Sequence, residues 1–309
     1  MAREYHRLLL LFVDGIGLAS ASPDNPLATE VSSTMRGVLG GPLTCEQVGE
    51  IGHGSLTALD ANLGLPGLPQ SATGQATLFT GVNAAQWMGR HVTGLPGPRL
   101  RSLVADKSLF RSAAGLGLHT TFANAYGASY LESLLLGTAR PSVTTCAALA
   151  AGLKLRTVDD LKAGRAATWD VVGDLFASRA NVEVPAIDPK TVGNRLSTLA
   201  ASHDLTVFET FLPDLAGHGR IGIAAAEVVR RLDQLMAGVL AASADQVTVL
   251  LTSDHGNFEQ RSTRSHTRNQ VPWLTTGPFA HCFTGLGSLA DVAPRILEVL
   301  SAVPGKASS

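Results

Sequence analysis

Three apolar stretches of this chain end in acidic or imidazole side chains, and that pattern limits what it can fold into. LLLLFVDG (residues 8–15) closes on Asp14, DLTVFETFLPD (204–214) on Asp214, and QVTVLLTSDHG (246–256) on Asp254 and His255. A continuous apolar run of this length reads as a strand buried on both faces, the habit of a parallel sheet covered by helices. In open parallel sheets the carboxyl ends of the strands form the ligand crevice. Three endings far apart in sequence are therefore expected to meet in space.

Between these strands the pattern alternates with helices, which predicts an α/β fold with a mostly parallel central sheet flanked by helices. A short helix is expected in VSSTMRGVLGG, and residues 51–69 read as a glycine-rich loop. The segment SATGQATLFTG (71–81) reads as a helix beginning near Ser71, whose small residues let a backbone pack close and whose free amides can receive an anion. SLFRSAAGLGLHTTFANAY (108–126) reads as helix, glycine break and strand, and TVGNRLSTLAASH and GIAAAEVVRRLDQLMAGVLAAS as helices. A last helix is expected from 288 to 303, closed by Pro304, with GKASS disordered. The expected organisation is a core from 1–90 and 190–309, with 105–130 also core, and a small inserted cap over 131–189.

Composition narrows the partners. With 24 basic against 25 acidic side chains and a formal net charge of −1, the 309 residues exert no long-range pull on nucleic acid or anionic lipid, so anion binding has to be local. The first apolar run is interrupted by Asp14 and lacks a cleavage pattern, so it reads as a strand rather than a targeting segment. The cysteines (Cys45, Cys146, Cys282) are too far apart for a zinc knuckle or redox dithiol. A reduced, cytoplasmic protein, monomer or homodimer, is expected, with no membrane and no polymeric nucleic acid among its partners.

Asp214 and His218 are four residues apart, so both can approach one ion across a helical turn or tight loop. His266 lies eleven residues beyond His255 after a polar loop. Taken singly, Asp14 would be a turn or cap, Asp-His-Gly a turn, His266 a solvated imidazole and Ser71 a helix cap. Together they make three carboxylates and three imidazoles, enough for two divalent ions once a hydroxyl or phosphate oxygen is added. Mixed nitrogen and oxygen ligands favour Zn, Mn or Fe over Ca and Mg. A pair of ions suits an in-line displacement at phosphorus. A serine hydroxyl is a poor nucleophile until a cation lowers its pKa, a role that would fit Ser71. Thr73 is the neighbouring alternative, or else it stabilises the turn.

These motifs resemble those of the alkaline phosphatase superfamily, and most closely its cofactor-independent phosphoglycerate mutase and phosphopentomutase branch. VDGIG looks like the first strand motif, PDLAGH like the Asp-x-x-Gly-His segment, TSDHGNFE like the Asp-His-Gly-Asn segment and SHTRNQVP like the His-Thr-x-x-x-Val-Pro pattern. QSATGQ is similar to the Ser-x-x-Gly-His segment, with Gln75 in place of the histidine. The resemblance covers roughly residues 6–85 and 190–300 and implies an alkaline-phosphatase-like core. It also implies Asp14, Ser71, Asp254 and His255 around one ion, Asp214, His218 and His266 around the other, and Ser71 as the phosphorylated hydroxyl. The ions expected are Zn or Mn, with Fe or Mg as further candidates.

The departures bear on the reaction. Only about a hundred residues separate the nucleophile segment from the returning core, and the arginine cluster of the bacterial mutases has no counterpart here. A mutase has to retain its intermediate, so a small cap favours hydrolysis. The reading is a phosphohydrolase of small phosphomonoesters or diesters. An intramolecular phosphomutase is the alternative, and a non-catalytic metal-binding protein of the same fold is the other class. SATGQ lacks the sulfatase signature. Arg90, His91, Arg99 and Arg101 are candidates for substrate contact, since arginine matches phosphate through paired donors. Asp60, Asn124 and Tyr126 are further candidates, while Lys154, Arg156 and Lys162 read as surface charge.

Overall fold

The computed structural model describes residues 6–243 and 246–302; the expected disorder of GKASS and the end of the last helix at Val303–Pro304 lie outside them. Among the described residues the strands are, in chain order, β1 (Leu8–Val13), β2 (Gly49–Ile51), β3 (Gly54–Leu59), β4 (Thr120–Phe122), β5 (Ala125–Tyr126), β6 (Arg156–Thr157), β7 (Leu205–Thr210), β8 (Thr248–Thr252) and β9 (Val271–Thr276). Seven form one sheet in the order β2-β3-β9-β8-β1-β7-β4, and β5 pairs with β6 separately. β1 lies parallel between β7 and β8, with Leu10 opposite Val207 on one side and Leu250 on the other. β4 extends the parallel group, whereas β9 runs antiparallel to β8 and β3.

Alternation along β1 divides the core between two layers. Leu8, Leu10 and Phe12 pack with helices Ser71–Thr80, Pro98–Lys107, Leu109–Gly115, Val143–Ala150 and Val292–Ser301. Leu9, Leu11 and Val13 face helices Ser33–Leu39, Pro189–Ala200 and Ala225–Ser243. None of these six side chains is more than 2% exposed, so truncating any one to alanine is expected to cost about 2–5 kcal/mol. Both faces of β1 are thus covered, which is why its sequence is apolar without alternation.

The last helix and the one starting at Ser71 occur where expected, as do the helices at 33–39, 109–115, 189–200 and 225–243. The stretch 51–69 differs from the loop expected, because it contains β3, whose six residues pair with β9 throughout. The glycines flanking so short a run hide its strand character. Within 131–189, Val143, Ala147 and Ala148 pack into the main core, while Leu161, Ala166 and Phe176 form a small separate cluster with Ala125. Among the described residues no helix is long and apolar enough to cross a membrane.

Candidate metal centre

The C-terminal ends of β1, β7 and β8 meet, as the apolar runs ending in charge imply. Asp14 directly follows β1, and its amide donates to the Thr210 carbonyl at 3.0 Å, tying it to the end of β7. The loop after β1 then turns through Gly15, at φ +81°, where an added Cβ would lie 2.7 Å from Asp214 Cα. Only glycine supplies both the left-handed turn and the clearance. Asp214 stands in the first turn of the short helix Leu212–Gly217 just beyond β7, and Asp254 and His255 follow β8.

The helix Ser71–Thr80 approaches from one face. A Cβ on Gly74 would meet the Asp254 carbonyl oxygen at 2.7 Å, so this glycine lets the helix seat against the β8 end. Ser71 Oγ then lies 3.0 Å from His255 Nε2. One turn on, Gln75 Nε2 donates to Asp14 Oδ2 at 3.3 Å and Asp254 Oδ2 at 3.0 Å, bridging the two carboxylates. Sequence comparison had marked Gln75 only as a departure from histidine.

Two clusters of ligand atoms result. Asp14, Asp254 and His255 form one, and Asp214, His255 and His266 the other, the ligand atoms in each lying within 4.8 Å of one another. His255 Nε2 is 3.3 Å from Asp14 Oδ1 and 3.6 Å from Asp254 Oδ2. His218 Nε2 adjoins the second cluster, 3.2 Å from Asp214 Oδ1 and 3.1 Å from His266 Nε2. His255 stacks on His266 with centroids 3.6 Å apart, which brings the two clusters side by side.

Proton positions decide what the second cluster can hold. His218 Nδ1 faces the Arg264 carbonyl at 2.6 Å, and His266 Nδ1 faces the Pro69 carbonyl at 2.8 Å. A carbonyl only accepts, so each Nδ1 carries the proton. Both Nε2 atoms therefore present lone pairs to one another and to the Asp214 carboxylate. Three acceptors converging without a proton between them are repulsive unless a cation joins them, and backbone carbonyls fixing the outer nitrogens are the usual support of metal-bound histidine.

The first cluster carries the same signature. Oδ1 of Asp14 and Oδ1 of Asp254 are buried without a hydrogen-bond partner. Burial, reinforced by the Asp254 and Asp214 charges, pushes the Asp14 carboxyl well above its usual range, and burial likewise raises Asp254. His266 is lowered to about 4 by burial and the neighbouring His255 charge, so it stays neutral and able to ligate. Asp14, Asp254, His255 and Ser71 fit one divalent ion, and Asp214, His218 and His266 a second.

Residues that the sequence did not single out support these ligands. Asn257 Nδ2 donates to Asp214 Oδ1 at 2.9 Å. The buried Glu259 carboxylate accepts from the amides of Gly17 and Asn257 and from Thr267 Oγ1, joining the loops after β1 and β8 to the His266 loop. Glu209, on β7, is raised to about 8, mainly by burial and despite a hydrogen bond from Thr144. Asn257 and Glu259 stand inside the quoted GNFE segment, and Glu209 is one acid in an apolar run; no spacing marked them.

The remaining candidates disperse. Thr73 is fully buried, its hydroxyl donating to the Gln70 carbonyl and accepting from the Val92 amide, so the turn uses it. Asp60 accepts from the amides of Asn62 and Leu63 and closes its own loop. Asn124 exchanges two hydrogen bonds with the Glu209 backbone. Arg90, Arg99 and Arg101 are exposed, Arg99 lying over the Trp87 ring at 4.9 Å. His91 differs from them, with both ring nitrogens buried and without a partner. Arg156 is not surface charge, since it binds Thr121 Oγ1 and the Phe122 carbonyl.

Comparison with known proteins agrees with this geometry. Residues 182–303 match the family model of the metalloenzyme superfamily. The 2,3-bisphosphoglycerate-independent phosphoglycerate mutase of Mycoplasmoides gallisepticum is 32% identical over 137 residues, 41% of this chain and 27% of that protein. The Mycoplasma genitalium protein of the same name is 33% identical over 124 residues, 38% and 24% of the two chains. The matches thus span about a quarter of those relatives' length. Among solved structures, alkaline phosphatase from the Antarctic bacterium TAB5 superposes with a TM-score of 0.54 at 13% identity, covering 97% of this chain and 99% of that one. A protein of Pyrococcus horikoshii gives 0.59 at 14%, covering 99% of each. At such identities these superpositions speak for the fold alone.

Proposed function

We propose that this chain, which resembles the alkaline phosphatase superfamily and matches the metalloenzyme superfamily over residues 182–303, is a phosphohydrolase of small phosphomonoesters or diesters working through a phosphoserine at Ser71. The observation that carries the reading is the placement of Ser71 Oγ on His255 Nε2, at the edge of the Asp14 and Asp254 pair. Two divalent ions, Zn or Mn by the donor set, would supply positive charge beside the nucleophile and the transferring oxygens.

The chain's own groups account for the rest. The Ser71 hydroxyl sits beside His255 Nε2 at the first cluster, and its proton passes to solvent as the oxygen turns toward phosphorus. The Ser71 Oγ–P bond forms as the ester P–O bond breaks, and the departing oxygen takes a proton from solvent. The amides of Ser71 and Ala72, at the charge-favouring start of the helix, would offer donors to the phosphoryl oxygens. Among the basic candidates His91 is the one whose two ring nitrogens are buried and left unpartnered, free to assist. Water then cleaves the phosphoserine, giving phosphate and restoring the hydroxyl.

An intramolecular phosphomutase is the second reading, favoured by the names of the relatives that match about two fifths of this chain. Loading the protein separately with Zn and Mn, and following phosphate and product isomers from phosphomonoesters, phosphodiesters, 3-phosphoglycerate and ribose phosphates, separates the two. Phosphate release abolished by Ser71→Ala supports hydrolysis. Isomers without release support the mutase, and binding without any turnover would make the protein a non-catalytic relative.

A further inference from the structure

A cleft of about 380 Å³ opens at the end of β7, between residues 125–130 and residues 169–180. Its lining includes Glu209 and Phe211, five and three residues before Asp214 on the chain. On the sheet Glu209 lies opposite Phe12, two residues before Asp14, and the next residue, Thr210, accepts from the Asp14 amide at 3.0 Å. The cleft therefore adjoins the place where phosphorus would be held.

Its walls are unlike the rest of the surface. Tyr126 stacks on Tyr130 with centroids 5.2 Å apart and planes at 16°, and Trp169 stands in the same cleft. These three rings are half-buried, Tyr126 packing against the main core and Trp169 against the small cluster around Phe176. Arg140 and Arg179 line the same space, and neither has a carboxylate partner among the described residues. Arg179 is held by its guanidinium lying 4.7 Å above the Trp169 ring, a stacking geometry that leaves its in-plane donors available. Stacking surfaces beside unpaired guanidinium groups suit a flat ring that carries an acid.

We propose that this cleft is the leaving-group subsite, taking a planar aromatic ring against Tyr130 and Trp169 and an acidic substituent on Arg140 and Arg179. The inference rests on the phosphoryl-transfer reading for what fills the metal end, and it names the substrate class: phosphoesters of aromatic acids in preference to aliphatic esters. None of the substrate-contact candidates except Tyr126 belongs to this cleft, because its lining comes from five separated stretches of chain.

Non-hydrolysable phosphonates test it without requiring turnover. Propylphosphonate, phenylphosphonate and 4-carboxyphenylphosphonate are titrated calorimetrically into the Mn-loaded full chain. The phenyl compound is expected to bind about ten-fold more tightly than the propyl compound, and the carboxylate to add about another ten-fold. Arg140→Gln and Arg179→Gln, both at exposed positions, should each erode the carboxylate increment while keeping the phenyl preference; Tyr130→Leu should erode the phenyl preference. Equal affinity for the three compounds, or a carboxylate increment surviving in the double arginine variant, overturns the proposal. Aromatic preference without phosphate release from any ester would uphold the subsite and defeat the hydrolase reading; release from aliphatic esters with no aromatic preference would do the reverse.

Discussion

Replacing Glu209 by glutamine should change how the metal-free protein responds to pH. The carboxyl is 2% exposed, and burial raises it from 4.5 to about 8. The folded chain therefore keeps a proton that the unfolded chain releases, so stability falls as pH rises from about 4.5 to about 8. At 1.36 kcal/mol per unit the loss approaches about 4–5 kcal/mol, an upper bound because unfolded chains are not fully solvated and the site can relax. The substituted amide would accept from Thr144 as the carboxyl does and would not titrate. Thermal unfolding followed by circular dichroism in chelator, from pH 5 to 8, should show wild type losing about 10 °C relative to Glu209→Gln across that range, at roughly 2–4 °C per kcal/mol. Asp14, Asp254 and His266 titrate in both proteins, so the difference between the curves reports Glu209 together with its electrostatic effect on the neighbouring Asp14 and Asp254. Curves that stay parallel over the whole range would refute the assignment of the raised pKa to this residue.

Other perturbations probe the centre itself. Gly74→Ala puts a methyl group 2.7 Å from the Asp254 carbonyl oxygen; the helix should shift, with about 1–3 kcal/mol lost in chemical denaturation and turnover reduced more than metal content. Asn257→Ala leaves Asp214 Oδ1 without its 2.9 Å donor, and calorimetric titration should find metal binding about 10–100-fold weaker. His218→Ala removes one of three converging acceptors, so elemental analysis of dialysed protein should fall from two ions per chain toward one. Saturating Zn or Mn should raise the melting temperature of wild type, by about 2.7 kcal/mol of stability per site at a hundred-fold excess over the dissociation constant; no shift would mean that the clusters do not bind these ions.

The parts of the site that were legible in the sequence are those where local pattern and function coincide. Asp14 and Asp254 end apolar runs, and a strand buried on both faces has to end where charge begins, so their position at the sheet's carboxyl edge followed directly. Ser71 and Gly74 were legible because a helix that packs closely needs small side chains. β3 was hidden by its glycine neighbours, since it is held by pairing with β9, 212 residues distant from Leu59 to Val271, and not by its own pattern. Glu209 looks like an outward-facing residue until the fold buries it opposite Phe12, two residues before Asp14. The basic run Arg90, Arg99 and Arg101 drew attention as charge, yet the unpaired guanidinium groups beside the aromatic rings belong to Arg140 and Arg179, which only tertiary packing brings together.

The central claim, two ions serving a serine nucleophile, is tested most directly by measuring phosphate release and metal content in the same samples of Mn-loaded wild type and Ser71→Ala with an aryl phosphate. The expected result is two ions per chain in wild type, metal largely retained in Ser71→Ala, and turnover lowered by about a thousand-fold or more, the range set by loss of a covalent nucleophile. Undiminished release from Ser71→Ala, or no release from wild type holding both ions, would contradict it.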